Sequence, residues 1–236
     1  MKSGGRDAAF AAVVAGVLAA YNNTGGEQPW RQRWYPATNL GAAGLLLAAA
    51  TGSGLTAADL GLSAGQVPAG LRCAAGPAGA LAAAWAALAA TPITRPALAD
   101  RRITRLTWPQ VAYQVAVRIP VGTVLWEETA FRGVLQAALR RVLPAPAAIA
   151  VTSGVFGVWH IRPTIAALRI NGVRPGSRAE WAGVAAAVAG TTAIGGLLSG
   201  FRHRSGSLSA PVLLHLTANC GAALAARTVA GARRAR

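Results

Sequence analysis

Acidic residues are what this chain most lacks. Asp and Glu number 7 among 236 residues against 23 Lys and Arg, and charge of either sign makes up 13% of the chain. Soluble domains carry about a quarter charged residues, so this composition excludes a fully solvated globular surface. Cysteine is equally scarce. Cys73 and Cys220 are too few for a disulfide framework and have no metal-type spacing; Cys220 lies in an apolar segment and reads as an inert buried thiol. Internal repeats are absent, and there is no low-complexity run beyond the richness in alanine.

What is present is apolar. Hydrophobic residues make up 53% and mean hydropathy is +0.40. Much of this is Ala and Gly, which let helices approach closely in lipid. The expected fold is all-α, a polytopic transmembrane helical bundle. Seven apolar spans are legible, near 8–21, 36–51, 74–93, 109–139, 145–161, 181–199 and 208–226; several are shorter than about 20 residues, which implies tilt, a thin bilayer or half-helices. An eighth is conceivable in 52–73, which reads better as a loop with amphipathic turns. The first span follows Lys2 and Arg6, a charge placement shared with cleaved signal peptides, although a multispan protein can use its first span as the signal. Trp30, Trp34, Tyr35, Trp108 and Trp181 stand at span ends, where amphipathic rings favour the headgroup level. Trp85, Trp126 and Trp159 fall inside spans. Pro120, within the long fourth span, predicts a kink.

The formal charge of +16 invites a nucleic-acid reading, which the distribution rejects. The arginines sit in short stretches between apolar segments rather than on one basic surface. Loops 22–35, 94–107, 162–180 and the end 227–236 hold 14 Lys and Arg, the opposite side 7. The positive-inside rule therefore expects a cytoplasmic C-terminus. The Ala- and Arg-rich composition hints at a GC-rich genome, and the expected location is the plasma membrane of a bacterium, with membrane lipid as a partner and no nucleic acid.

A charged side chain at mid-membrane costs about 2.5–3.5 kcal/mol on insertion scales, so the polar residues inside the spans are informative: Arg118, Glu127, Glu128, Arg132, His160, His215 and Asn219. Glu128 and Arg132 are i and i+4 and share a face; Glu127 points about 100° away. His215 and Asn219 repeat the i, i+4 spacing, as do Phe156 and His160. At 1.5 Å rise per residue, Glu127, His160, His215 and Asn219 fall at roughly 18, 22, 10 and 16 Å from one face, depths that overlap and predict a shared cavity. Each piece has a plainer explanation: Glu128 and Arg132 as a structural ion pair, an intramembrane His as a packing residue. His203 lies in a basic loop and reads as solvated or headgroup-facing.

EETAFR at 127–132 fits EExxxR, FGVWH at 156–160 fits FxxxH, and HLTAN at 215–219 fits HxxxN. In this order and on separate spans, the three resemble the motifs of the CPBP family of intramembrane proteases, which includes the CAAX prenyl proteases and the bacterial Abi proteins. The resemblance divides the chain into N-terminal helices of unassigned role (1–107), a catalytic core (108–226) and a basic tail (227–236). It implies a membrane endopeptidase acting on a membrane-anchored peptide or protein. Glu127 would activate water, His160 position it, His215 and Asn219 form an oxyanion hole, and Glu128 and Arg132 support the site. The family has been called both metal-dependent and glutamate-dependent. One Glu and two His form a zinc-like ligand set but lack HExxH spacing, so a divalent metal such as zinc stays open.

Two other functions use the same features. A non-catalytic membrane immunity or scaffold protein would keep the fold without turnover, and a proton-coupled transporter would use the carboxylates and histidines as a relay. The transporter reading is weakened by the missing inverted repeat. Substrate identity, prenylation and oligomeric state are not encoded in any motif.

Overall fold

The computed structural model describes residues 3–25 and 28–234, and the described residues form helices joined by loops and turns, without strands. Alanine, the strongest helix former, dominates the helices, and proline occupies the first turn of several. There its missing N–H costs nothing and its fixed φ suits a helix start. The elements are α1 (Ser3–Gly25), α2 (Tyr35–Gly52), α3 (Val67–Ala90), α4 (108–140), α5 (Ala145–Trp159), α6 (Ile161–Ile170), α7 (Arg178–Ser205) and α8 (Ser209–Arg234). Short turns of helix at Pro29–Arg33 and Arg101–Thr104 interrupt the connections. Gly206, with φ of 70°, closes α7 in the left-handed conformation and turns the chain into α8.

Each of the seven apolar segments forms a helix, but three of the helices are long and apolar enough to cross a membrane by those criteria alone: Ala64–Ala90, Arg178–Ser205 and Ser209–Gly231. The others are interrupted, shorter or more polar. Lys2, part of the signal-like start, lies outside the described residues, as do the last two residues of the basic tail.

Three readings need correction. The fifth segment does not run to 161. Helix α5 ends at Trp159, His160 takes φ −90° and ψ 0°, and a separate helix α6 follows in what read as a loop. Pro163 supplies the reason: it has no N–H for the carbonyl four residues back, which belongs to Trp159. Second, the stretch 52–73 is a loop only over 53–66, since α3 already begins at Val67. Third, the basic tail is not a separate segment. Helix α8 continues to Arg234, and Arg227 packs its guanidinium over Trp108, 4.9 Å from the ring centre.

The expected perturbation at Pro120 takes a specific form. Helix α4 widens from α to π geometry over Gln114–Leu125, returns to α for Trp126–Glu128, and widens again over Thr129–Leu135. In a π turn the N–H of residue 120 would serve the carbonyl of Val115. Proline has none, and the Cys220 thiol of α8 reaches that carbonyl at 3.7 Å. Cys220 is thus a weak donor that satisfies a freed backbone group. Nearby, the Gly122 carbonyl accepts from Asn39 Nδ2 at 2.6 Å, and Asn39 Oδ1 accepts from Tyr21 OH at 2.9 Å.

Two buried clusters organise the bundle. The larger gathers Trp126, Phe131 and Leu135 of α4 with Phe156 and Trp159 of α5, against small residues and Leu18 of α1 and α2. The smaller joins Ala74 and Ala78 of α3 to Leu198 of α7 and Leu214 of α8. Small residues set the spacing, as expected for helices in lipid. A Cβ on Gly157 of α5 would stand 2.9 Å from the Val188 carbonyl of α7. Leu45 and Leu197 face outward, 76% and 65% exposed, as lipid-facing residues do. Trp30, Trp34, Trp108 and Trp181 are exposed near helix starts, in keeping with an interfacial belt. Tyr35 instead turns inward, its hydroxyl 3.3 Å from Thr123 Oγ1.

Candidate active site

The short α stretch Trp126–Glu128 carries both adjacent carboxylates into the bundle interior. Glu128 is fully buried. Its Oε1 accepts from Arg132 Nη1 at 3.1 Å and from His215 Nδ1 at 2.7 Å. Helical spacing accounts for the first bond; the second crosses from α8. Arg132 is also fully buried, donates Nη2 to the Gly195 carbonyl of α7 at 3.3 Å, and lies 4.1 Å from the centre of the Phe156 ring. Glu128, Arg132 and His215 therefore tie α4, α5, α7 and α8 together.

Glu127 is placed differently. Its Oε1 accepts from the indole Nε1 of Trp159 at 3.1 Å. Its Oε2 is buried, has no hydrogen-bond partner among the described residues, and stands 3.9 Å from His215 Nε2. Trp159 is held in turn by aromatic packing: it stacks on Tyr21 at 5.6 Å and meets Phe131 edge-on at 5.4 Å. A buried carboxylate oxygen without a donor is costly, so water or a substrate group is the natural partner for Glu127 Oε2.

His160 sits at the break between α5 and α6. Its Nδ1–H donates to the Phe156 carbonyl at 2.7 Å, which leaves Nε2 with a lone pair in the neutral ring. His160 and Glu127 line one cavity of about 360 Å³ with Tyr35, Arg118 and Trp159. His160 and Asn219 line an adjoining cavity of about 770 Å³, bounded by Trp85, Asp100 and Arg118. The second cavity shares Arg102, Gln114 and Arg118 with the first. Asn219 is half-buried, and its side chain makes no hydrogen bond among the described residues.

Glu127, Glu128, Arg132 and His215 are thus in one cluster, His160 shares a cavity with Glu127, and Asn219 lies one cavity further along. His215 touches both carboxylates but is not on either cavity wall. The expected single chamber is two adjoining cavities with His160 between them. Sequence reasoning placed Tyr35 at the membrane interface and Trp159 inside a span, and gave neither of them, nor Asn39, a role in the site. A tryptophan next to His160 and an asparagine in an otherwise apolar run were the available signals. Arg118 was marked as an intramembrane charge; its guanidinium donates to Gln32 Oε1 at 2.7 Å and covers the Tyr35 ring at 4.2 Å.

The loop between α3 and α4 contributes Asp100 and Arg102 to the cavity walls. Asp100 accepts from Arg102 at 2.6 Å and from Asn171 at 3.1 Å, joining this loop to the end of α6. Burial pushes the Asp100 carboxyl up, but the bonds and charge of Arg102 outweigh it and hold the group below its ordinary value of 3.8.

Among the described residues, no group of three His, Cys, Asp or Glu side chains is placed to hold a metal ion. Glu127 and His215 present two donor atoms toward each other, while His215 Nδ1 and Glu128 are committed to one another. Among the described residues the donor set falls short of a three-ligand site.

No curated protein and no solved structure matches the sequence. Residues 109–221 match the family model described as type II CAAX prenyl endopeptidase Rce1-like. This region runs from the start of α4 into α8 and contains all three motifs. The apolar helices and this match point to an integral membrane protein whose motif-bearing part, residues 109–221, is similar to the Rce1-like CAAX prenyl endopeptidase family.

Proposed function

We propose that the protein is an intramembrane endopeptidase of the CAAX type, hydrolysing a peptide bond of a membrane-anchored protein or peptide. One observation carries this reading: Glu127 keeps one buried oxygen unpartnered, beside His215 and on the wall of a cavity shared with His160. In this reading a water in that cavity gives its proton to Glu127 Oε2, and the hydroxide attacks the scissile carbonyl. His160 Nε2 accepts the water's second hydrogen and orients it. Trp159 fixes the carboxylate rotamer through Oε1, leaving Oε2 to act. Protonated Glu127 then delivers its proton to the departing amine.

His215 and Asn219 receive the charge that develops on the carbonyl oxygen. With His215 as imidazolium, the buried charges of Glu127, Glu128, Arg132 and His215 sum to zero. Nδ1–H is then committed to Glu128, and Nε2–H is available to an oxyanion. Donors of this kind are worth about 3–4 kcal/mol of transition-state stabilisation. Glu128 and Arg132 act through His215 and are positioning residues. The seven apolar helices, in this proposal, all lie in the bilayer, with the C-terminus cytoplasmic and the charged loops facing the substrate's soluble part.

The test is peptide profiling of membranes from cells carrying wild type and Glu127→Gln, with both proteins inserted at equal levels. Loss of processed peptides, with a rate reduction of about 10²–10⁴-fold on any peptide so identified, is the expected result. An unchanged peptide profile, or a cellular phenotype that survives the substitution, would remove the catalytic reading and leave the scaffold one.

A further inference from the structure

A third cavity, of about 380 Å³, shares Arg132 with the site just described and none of its other residues. It is formed where the last turns of α4 and α7 meet the loop 53–66. Arginines crowd its wall: Arg132, Arg140, Arg141 and Arg202, with His203 beside them and Asp59 as the acid. Two of these are already neutralised. Arg132 is paired with Glu128, and Arg141 lies 3.3 Å from Asp7 while donating to the Ser53 and Gly54 carbonyls. Asp59 is also committed, accepting at Oδ2 from the backbone and hydroxyl of Thr56.

Arg140 and Arg202 have no carboxylate partner among the described residues. Arg202 is 8% exposed. Its Nη2 donates to the Asp59 backbone carbonyl at 2.7 Å, and its buried Nε has no partner. Gly61, at φ of 73°, makes room for it: a Cβ there would stand 2.5 Å from that Nε. Arg140 Nη1 donates to His203 Nδ1 at 2.8 Å, so the ring accepts at Nδ1 and carries its proton at Nε2, a further donor. Helix C-termini favour cations, which explains arginines at the ends of α4 and α7. It does not explain two of them converging on one cavity with one of them buried. Gln136, 2% exposed on the same wall, has an unpartnered Oε1. The cavity thus offers cationic donors and one acceptor, the complement of an oxyanion that also carries a hydroxyl.

We propose that this basic cavity binds a phosphate group, with Arg140 and Arg202 as its charged ligands. Its position at helix ends suits the phosphate of an anionic lipid headgroup, and inorganic phosphate has the same chemistry. The proposal is independent of the proteolytic reading.

Two arms distinguish the sources. Purified protein in neutral detergent is titrated with inorganic phosphate against chloride at matched ionic strength, following the unfolding midpoint by tryptophan fluorescence. In parallel, native mass spectrometry counts phosphatidylglycerol against phosphatidylcholine retained from mixed micelles. Stabilisation by phosphate alone assigns a soluble anion; selective retention of phosphatidylglycerol assigns the lipid. Arg140→Gln, at an exposed position tolerant of change, should weaken whichever effect is seen by about ten-fold, the scale of one charged hydrogen bond. Arg204→Gln, one turn-end arginine off the wall, should leave it intact. No preference in either arm, or equal losses in Arg140→Gln and Arg204→Gln, would overturn the proposal.

Discussion

Glu127 and Glu128 are neighbours in sequence and differ in what surrounds them. Glu128 is locked between Arg132 and His215, while Glu127 is held at one oxygen by Trp159 and left free at the other. Their expected responses to substitution diverge accordingly. Arg132→Met leaves a buried carboxylate beside His215 without its cation and should cost about 3–5 kcal/mol, read as a large drop in the thermal unfolding midpoint. Glu127→Gln should shift that midpoint little while abolishing turnover. Trp159→Phe removes a single N–H from Glu127 and should lower kcat more than it raises KM, with the protein still folded; unaltered kinetics would mean that Oε1 needs no anchor. The pairing of Glu128 with Arg132 was legible from their spacing because both lie on one helix. The Trp159 bond was not, because nothing in local spacing tells which face of α5 meets α4.

At the scale of elements, helix α4 departs most from a regular reading. Pro120 was expected to kink it, and the helix answers with wide π turns whose freed Val115 carbonyl is met by Cys220 from α8. Whether a proline produces a kink or a widened turn depends on which neighbours can satisfy the exposed carbonyls, and Cys220 and Asn39 are distant in sequence. Helix α5 packs on α7 through Gly157 and Gly195. Gly157→Val is expected to push the two helices apart, because its Cβ meets the Val188 carbonyl, a backbone atom that cannot rotate away. The unfolding midpoint should fall, and His160, three residues on, should lose its place in the cavity with a matching loss of activity. A similar substitution at Gly154, whose Cβ position is open, should be tolerated. The break after Trp159 follows from Pro163, a signal present in the sequence but outweighed there by the apolar character of the segment.

For the whole molecule, orientation and loop anchoring are the testable properties. The 14-to-7 imbalance of Lys and Arg predicts that a green fluorescent protein fused after Arg236 fluoresces in the cytoplasm. A dark fusion with full expression would invert the topology. The loop carrying Asp100 is fastened to α6 through Asn171 and lies against the cavities. Because the folded Asp100 carboxyl is held below 3.8, its stabilising contribution is complete above that value and is lost as pH falls through the lower folded value. Asp100→Asn should therefore flatten the acid limb of the stability curve measured by thermal unfolding, and a limb as steep as that of wild type would show that other carboxylates govern it.

The sequence by itself determined the medium, the helical class and the residues worth attention. Scarcity of charge, abundance of Ala and an i, i+4 pattern are properties of composition and of single helices, which depend on neighbours a few positions apart. Only the tertiary structure decided which of two adjacent glutamates keeps a free oxygen, that His160 stands between two cavities, and that arginines from separate helix ends share a third. Those outcomes depend on contacts between residues as distant as Glu128 and His215, 87 positions apart. Such contacts are set by how helices of similar hydropathy pack together, and hydropathy alone does not specify that packing.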